Sequence, residues 1–498
     1  MAISEQIPLG TRIPNTPHAV SVSIPTMRDV IAYEENDPET RRKMKSGYPR
    51  FVVHEYLLEI EKYWQRLFDK PNDPVWLTSS EKMARALESY LDTEGSKFQK
   101  HGGVSGLRLP SDQELNLKAK RFLTHVGGYL SSRQAEDYLA ANGLLDAAAE
   151  EDLCENEASA KIQAILQPLY GTETAEEIIL TSCGMNAIYA AFRAINEIQA
   201  PRNRKSWIHL GWLYADTMHV LKKLSEGENI ALYDVFDLDA LEQILEANPD
   251  HFAGIITETP TNPLIQTPDT SRLKEIAKKH GVYLVIDPTM NSPANVDVSP
   301  YADVIVNSLT KYAANAGDAS MGAVALTGSC PNREQLHKLI IRNIELPYDR
   351  DIQRLAYQID DYERIMPIIN ANTLKIVEWL KGQSGIGKVH WAEEEGSREA
   401  YRRIARSSDS VGGVVSIEFT GDMAVFHDRV ALAKGPSFGM KQTLVSPFMY
   451  LAHYDLIKNE EGKKLMRKAG VKSDLIRMSI GTEPAEEIIE ALDFALNT

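Results

Sequence analysis

The sequence predicts an α/β protein: a mixed, mostly parallel seven-stranded sheet, preceded by a helical N-terminal region and followed by a smaller α+β domain. Three observations predict it. Between residues 175 and 330, seven short apolar runs ("EIILTS", "SWIHLG", "NIALYD", "AGIITETP", "VYLVIDP", "ADVIVNSL" and "GAVALTG") are mostly separated by helical or turn-rich sequence. Runs apolar on both faces belong to sheets covered by helices. After the first run, "MNAIYAAFRAINEI" places apolar residues at 185, 188, 189, 192 and 195, the period of an amphipathic helix. At 498 residues the chain also exceeds what one core supports, so separate domains are expected.

Upstream, residues 1 to about 45 are Pro-rich and irregular. The stretches "VVHEYLLEIEKYWQRLF", "SSEKMARALESYLD" and "SSRQAEDYLAANGLLDAAAEEDL" read as helices, with a loop-like segment around "KHGGVSGLRLPSDQ". The acidic run "AAAEEDLCENEASAK" reads as a solvated helical face. Downstream, "DIQRLAYQIDDYERIMPIINANTLKIVEWLKG" reads as one long helix leading to "VVSIEFTG", "LIRMSIG" and the closing helix "PAEEIIEALDFAL". The expected division is an N-terminal arm and helical region over 1–170, a sheet domain over 171–345 and a small domain over 346–498.

The formal net charge is −16 at pH 7 with Lys and Arg dispersed, which argues against nucleic acid and anionic membranes as partners. Cys154, Cys183 and Cys330 lie far apart without ligand spacing, so neither a disulfide framework nor a metal site is indicated, and a reducing cytoplasm fits. A basic-then-apolar leader is missing from "MAISEQIPLGTRIPNTPHAVSVSIPT", and the expectation is a soluble, unexported protein.

In open α/β sheets ligands gather at the carboxyl ends of strands, so the polar residues that follow apolar runs are the ones to inspect. Lys311 follows "VIVNSLT"; an amine there is desolvated, which lowers its pKa and frees its lone pair for a carbonyl. Asp287 ends the preceding run, and a carboxylate beside Lys311 would hold a ring nitrogen protonated. Gly184 and Met185 offer backbone N–H groups at a helix start, and the hydroxyls of Ser308 and Thr310 flank the lysine, together making a site for a phosphate and an aldehyde. Singly, each has a plainer use: a solvated turn lysine, an N-cap aspartate, a glycine at a helix start.

These motifs ("ILTSCGMNAI", "LYADT", "ETPTNPL", "LVIDPTMNSP", "VNSLTKY" and "IRMSIGTE") resemble, in order and spacing, the Cys/Met-metabolism family of pyridoxal-phosphate enzymes of fold type I. "PHAVSVSIPT" and "AYEENDPETRRKMKSGYPRFVVH" resemble the start of its long-form, fungal-type cystathionine γ-synthases. The resemblance implies pyridoxal 5'-phosphate as cofactor, Lys311 as Schiff-base lysine and proton shuttle, and Asp287 as partner of the pyridinium nitrogen. It implies that Tyr214 stacks on the ring, Asn262 bonds near the phenolic oxygen, Arg477 grips the substrate α-carboxylate and Ser437 lines the substrate side. Tyr48 and Arg50 of "GYPRF" match a Tyr-x-Arg motif that reaches the phosphate of the neighbouring subunit, which implies a homodimer or homotetramer with shared sites.

The implied reaction is γ-replacement or γ-elimination on a γ-substituted amino acid through a vinylglycine-type intermediate, with O-activated homoserine and cysteine as the leading pair. Alternatives are γ-elimination from S-adenosylmethionine with carbon–carbon bond formation, and a non-catalytic binding protein that keeps the fold. Four stretches depart from the short enzymes: "AANAGDASMG" puts Ala316 and Gly317 in place of a His-Ser pair, "YADT" replaces Tyr-Gly-Gly-Thr, Asp287-Pro288-Thr289 replaces Asp-Asn-Thr, and "SFGMKQT" replaces a Ser-Leu-Gly-Gly segment.

Overall fold

The computed structural model describes residues 6–49, 51–70 and 72–497. Its first elements correct the irregular reading of the N-terminus. An antiparallel pair, β1 (Arg12–Ile13) and β2 (Ser21–Val22), leads into helices Met27–Glu34 and Pro38–Lys43. Thr26 and Asp37 cap them by accepting the N–H of Asp29 and Thr40, and Pro38 sits where a helix needs no donor.

Helices Glu55–Leu67 and Glu81–Leu91 form as their apolar spacing predicts, but between and after them lies a small antiparallel sheet: β3 (Val75–Thr78), β4 (Lys97–His101) and β5 (Val104–Arg108), in the order β3-β5-β4. The expected loop around "KHGG" is therefore largely a hairpin. Gly102 and Gly103 have φ of +54° and +81°, the paired positive angles of a two-residue turn whose twist matches the strands. Helices Gln113–Val126 and Ser132–Ala141 complete this region.

The helix expected to run through the acidic stretch stops at Ala141, with Gly143 at φ +68° just beyond its end. The acidic run is exposed at Glu150, Asp152, Glu155 and Glu157 as expected, but over 147–157 it is a loop rather than a helical face, and Glu151 turns inward. Arg133, 1% exposed, donates to both carboxylate oxygens of Glu151 at 2.9 and 2.6 Å, to Asp351 at 2.9 Å and to the Asp318 carbonyl at 2.9 Å. Glu151 also accepts from Arg350 at 2.9 Å. A loop folded over a buried guanidinium fastens the N-terminal region to the rest of the chain.

The seven apolar runs form one sheet: β6 (Ile178–Thr181), β7 (Ser206–Leu210), β8 (Ile230–Leu232), β9 (Phe252–Glu258), β10 (Tyr283–Asp287), β11 (Val304–Ser308) and β12 (Gly322–Leu326), ordered β6-β12-β11-β10-β9-β7-β8. Only β12 runs against its neighbours, so the other six present their carboxyl ends at one edge. Helix Gly184–Gln199 buries Met185, Ile188, Phe192 and Ile195 against one face, and helix Ala158–Tyr170 buries Ile162 and Leu166 against the other.

The long helix expected after residue 350 is two, Asp349–Gln358 and Tyr362–Lys381, joined by the turn Ile359–Asp361. At the break, the Gln358 carbonyl accepts from Asn315 and its amide donates to Asp318. A second sheet follows: β13 (Ile386–His390), β14 (Val414–Phe419), β15 (Ala433–Lys434), β16 (Leu444–Pro447) and β17 (Leu475–Ser479), ordered β13-β14-β17-β16-β15. Its core takes in Val22, Ile24, Met27 and Val30 of the N-terminal arm. No helix among the described residues is long and apolar enough to cross a membrane.

Removing the buried cation should expose how much this junction carries. Arg133→Ala leaves the facing Glu151 and Asp351 carboxylates without it and is expected to lower unfolding stability by about 3–5 kcal/mol, read as a shift of the urea midpoint.

Candidate active site

The carboxyl edge of the sheet delivers its side chains into one cavity. Gly184 and Met185 arrive after β6, Tyr214 after β7, Glu258 and Asn262 at and after the end of β9, Asp287 at the end of β10, and Ser308 and Lys311 at and after the end of β11. The C-terminal domain contributes Ser437 and Arg477, and the arm contributes Tyr48. Residues named separately along the sequence thus converge, each placed by a strand end or by the small domain that faces it.

Lys311 Nζ donates to Ser437 Oγ at 2.8 Å and lies 5.0 Å from the Tyr48 ring centre and 5.2 Å from that of Phe438. Burial, reinforced by the charge of Arg477, lowers its pKa to about 7. A neutral amine is therefore present at physiological pH. Both residues beside this bond have unusual backbones: Tyr312 at φ +60° and Ser437 at φ +108°. Such angles are held by their surroundings and cluster at sites of function. Here Tyr312 donates its N–H to the Gly439 carbonyl at 2.8 Å and its hydroxyl to the Met290 carbonyl at 2.8 Å.

Asp287 and Glu258 are register partners at the ends of β10 and β9, both buried. Burial raises the Asp287 carboxyl to about 6 while its bonds from the Thr289 N–H (2.9 Å) and hydroxyl (2.5 Å) restrain the rise. Burial and then the Asp287 charge raise Glu258 well above the ordinary carboxylate range. Two carboxylates side by side in a dry site do not both ionise readily; Glu258 keeps its proton and Asp287 carries the charge. Glu258 was not singled out from the sequence for any role, although it ends the apolar run before "TPTNP". Its Oε1 accepts the Tyr214 N–H at 2.5 Å.

The residues fit pyridoxal phosphate. The hydroxyl of Ser308 is buried with no hydrogen-bond partner among the described residues, an acceptor-seeking donor beside the N-terminus of helix Gly184–Gln199. Gly184 makes this approach possible, since a Cβ there would stand 2.7 Å from Ser308 Cβ. Asp287 would meet the ring nitrogen and Lys311 the aldehyde carbon. On the substrate side, Arg477 donates to Asn262 Oδ1 at 3.1 Å and to the Ser437 carbonyl at 3.2 Å, between the rings of Phe438 and Phe448. Burial lowers its pKa only to about 10, so the guanidinium stays charged.

Two expectations are corrected or fall outside. Thr310 does not line the cavity: fully buried, its hydroxyl accepts the Met321 N–H at 3.2 Å and faces Ser320 at 3.3 Å, which ties the lysine turn to the start of β12. Arg50 lies outside the described residues. The Tyr48 ring centre lies 5.0 Å from Lys311 Nζ, the position at which its side chain was expected. Of "SFGMKQT" only Ser437 and Phe438 line the cavity. Met440 instead fills the space left at Gly317, where a Cβ would lie 2.3 Å from its Cε.

Comparison with known proteins agrees with this geometry. The chain is 37% identical over 479 residues, 96% of each chain, to the L-2-amino-4-chloropent-4-enoate dechlorinase/desaturase of Streptantibioticus cattleyicolor. It is 31% identical over 331 residues to the cystathionine gamma-synthase of Neurospora crassa, covering 64% of this chain and 52% of that one. The crystal structure of cystathionine gamma synthase from Xanthomonas oryzae pv. oryzae in complex with cystathionine shares the fold, with a TM-score of 0.59 at 22% identity over 68% of this chain and 85% of that one. The family described as Cys/Met metabolism PLP-dependent enzyme matches residues 154–497; the chain belongs to that family and is a pyridoxal-phosphate-dependent enzyme of fold type I.

Proposed function

We propose that the chain catalyses γ-elimination on a 2-amino acid bearing a compact, uncharged γ-substituent, with γ-chloro amino acids as the first candidates. The observation that carries this reading is the charge inventory of the cavity. Apart from Lys311, Arg477 is the one cation among its described lining residues, and the walls beyond it are Phe51, Phe438, Phe448 and Leu451. Once a substrate α-carboxylate occupies Arg477, a second carboxylate, whether on a succinyl leaving group or an incoming cysteine, would be desolvated without a partner. A halide or another small neutral group meets no such penalty. The name of the Streptantibioticus relative supports the same class.

When bound, pyridoxal phosphate supplies the electron sink that makes the α-hydrogen acidic. The chain's residues do the rest. Arg477 and Asn262 orient the carboxylate, Lys311, partly neutral near pH 7, takes and returns protons at the substrate carbons, and Asp287 would stabilise positive charge on the ring nitrogen. Tyr214, aligned through its N–H bond to Glu258, would pack against the ring, and the aromatic walls exclude water.

A second reading, γ-replacement on O-activated homoserine with cysteine to give cystathionine, draws support from the identity to the Neurospora enzyme. One panel separates the two: 2-amino-4-chloropent-4-enoate, O-acetyl- and O-succinylhomoserine with and without cysteine, and S-adenosylmethionine, each followed by chloride or leaving-group release and by deuterium uptake at the α and β carbons. Chloride release without any thiol is expected. Turnover confined to an acylhomoserine plus cysteine would reject elimination.

Arg477→Lys should keep the visible absorbance of the lysine-bound cofactor yet raise KM about tenfold or more, the worth of a charge-assisted hydrogen bond of about 1.5–3 kcal/mol. The lowered pKa of Lys311 also sets a pH dependence with a definite sign. Below about 7 the amine is protonated and cannot attack the aldehyde; above it the lone pair is free. Cofactor uptake by the cofactor-free protein should therefore accelerate as pH rises through about 7, whereas an ordinary lysine would show the rise only near its usual value in alkali.

A further inference from the structure

We infer that Thr289, Asn307 and Tyr170 together set how firmly Asp287 holds a proton, because Asn307 competes with the Asp287 carboxylate for the single hydrogen of the Thr289 hydroxyl. The inference rests on Asp287 as the partner of the ring nitrogen. Asn307 and Tyr170 do not line the cavity; they act through Thr289, as positioning residues.

Thr289 follows Asp287 across Pro288. Its N–H and its hydroxyl both reach the same carboxylate oxygen, Oδ1, at 2.9 and 2.5 Å, which leaves Oδ2 to meet the ring nitrogen. The same hydroxyl oxygen lies 2.8 Å from Asn307 Oδ1 and accepts the Ser308 N–H at 2.9 Å. A hydroxyl has one hydrogen to give. Two acceptors, a carboxylate and an amide carbonyl, therefore share it.

Tyr170 decides which end of the Asn307 amide faces Thr289. Asn307 Nδ2 donates to the Tyr170 hydroxyl oxygen at 2.7 Å, so the carbonyl end is turned to Thr289. Tyr170, the last residue of helix Ala158–Tyr170, is 1% exposed, and Asn307, on β11, is 4% exposed. In so dry a setting each bond is electrostatically strong, and the Asn307 carbonyl dipole itself opposes negative charge on Asp287. Both effects of Asn307 have one sign: they make Asp287 hold a proton more firmly. The Thr289 bonds have the opposite sign.

The balance matters for the ring. A carboxylate that is too weakly basic makes a poor partner for a protonated ring nitrogen, and one that is too basic takes the proton for itself. Two acceptors sharing one hydrogen place Asp287 between these limits. The titratable and charged groups that face Asp287 are Glu258 on β9, Lys311 after β11, Arg477 on β17 and Tyr170. Substitutions at residues 289 and 307 leave all four in place, so a shift that they cause reports the hydroxyl.

The test titrates the full-length, cofactor-free chain labelled with carbon-13 at its aspartate side-chain carboxyls, the Asp287 signal being identified by its loss in Asp287→Asn. A carboxyl that titrates at about 6 stands apart from ordinary aspartates. Recovery of visible absorbance when pyridoxal phosphate is added back checks that each variant is folded. Thr289→Val removes the hydroxyl and should raise the midpoint by about one pH unit or more, the worth of a hydrogen bond to a charged group. Asn307→Leu, of similar shape, releases the hydroxyl to Asp287 and should lower the midpoint by about half a unit or more. Thr289→Ser keeps the hydroxyl and should return the parent value.

Loosened packing would admit water and move every midpoint down, so opposite shifts from two residues of one hydrogen-bond chain separate the inference from a structural role. Midpoints that move the same way, an unmoved Asn307→Leu, or a serine variant that titrates like the valine one overturns it. Should Asn307→Leu fail to fold, Tyr170→Phe takes its place, since the released amide can turn its carbonyl away from Thr289. A lowered midpoint then supports the inference, and an unchanged or raised one overturns it. The titration is run without substrate, so its outcome is read separately from that of the substrate panel.

Discussion

The structure depends on keeping ionisable groups in a cavity from which water is largely excluded. Glu258, Asp287, Lys311 and Arg477 line it together with aromatic rings, and an ion moved out of water must neutralise or find a partner. Each group resolves this differently. Lys311 gives up its proton as pH rises through about 7, and Glu258 keeps its own because burial, and then the charge of Asp287 beside it, raises its pKa. Arg477 stays charged, since its delocalised guanidinium is weakly hydrated and its donors reach the Asn262 and Ser437 oxygens. The charges that survive are one carboxylate and one guanidinium, the pair that a ring nitrogen and an α-carboxylate require.

Holding that arrangement falls to the backbone rather than to the reacting side chains. The strand ends fix Glu258 and Asp287 by register. Two loops that bond to each other fix Lys311: Tyr312 N–H meets the Gly439 carbonyl at 2.8 Å, and Lys441 N–H meets the Asn315 carbonyl at 2.9 Å. Because the lysine loop and the substrate loop share these bonds, neither is free to adjust alone, and the unusual φ angles at Tyr312 and Ser437 are offset by the packing around them.

The parts of this design that were legible in the sequence are those written in periodicity and position. Apolar runs marked the strands, and a lysine and an aspartate at successive strand ends marked the chemistry. What was not legible depends on partners distant in sequence. Glu258 is one acid among many until the register sets it beside Asp287. Thr310 follows the same strand as Ser308, yet it turns its hydroxyl to β12, while Ser308 turns toward the cavity. Glu151 read as solvated along with the rest of the acidic run because Arg133, which donates to it, carries no mark of burial in its own helix.

The departures from the shorter enzymes acquire a common explanation when their contacts are followed. Asp216, in the position of a glycine, lies with Oδ1 3.1 Å from His125 Nδ1 on helix Gln113–Val126. The Asp318 carbonyl receives Arg133, and the Gly317 carbonyl receives Val20. Of the altered residues, Asp216 and Gly317 thus meet the N-terminal region directly, and the volume removed at Gly317 is taken by Met440. These changes therefore fit the added N-terminal region to the sheet and to the loop behind the lysine. In the proposed reading, substrate discrimination falls to the surfaces that face the substrate beyond Arg477. There Phe438 and Phe448 replace any second charged group among the described lining residues, and an apolar wall selects by size and by the absence of charge. The changes at Asp216 and Gly317 thus concern assembly, and in the proposed reading the two phenylalanines flanking the arginine concern what is bound.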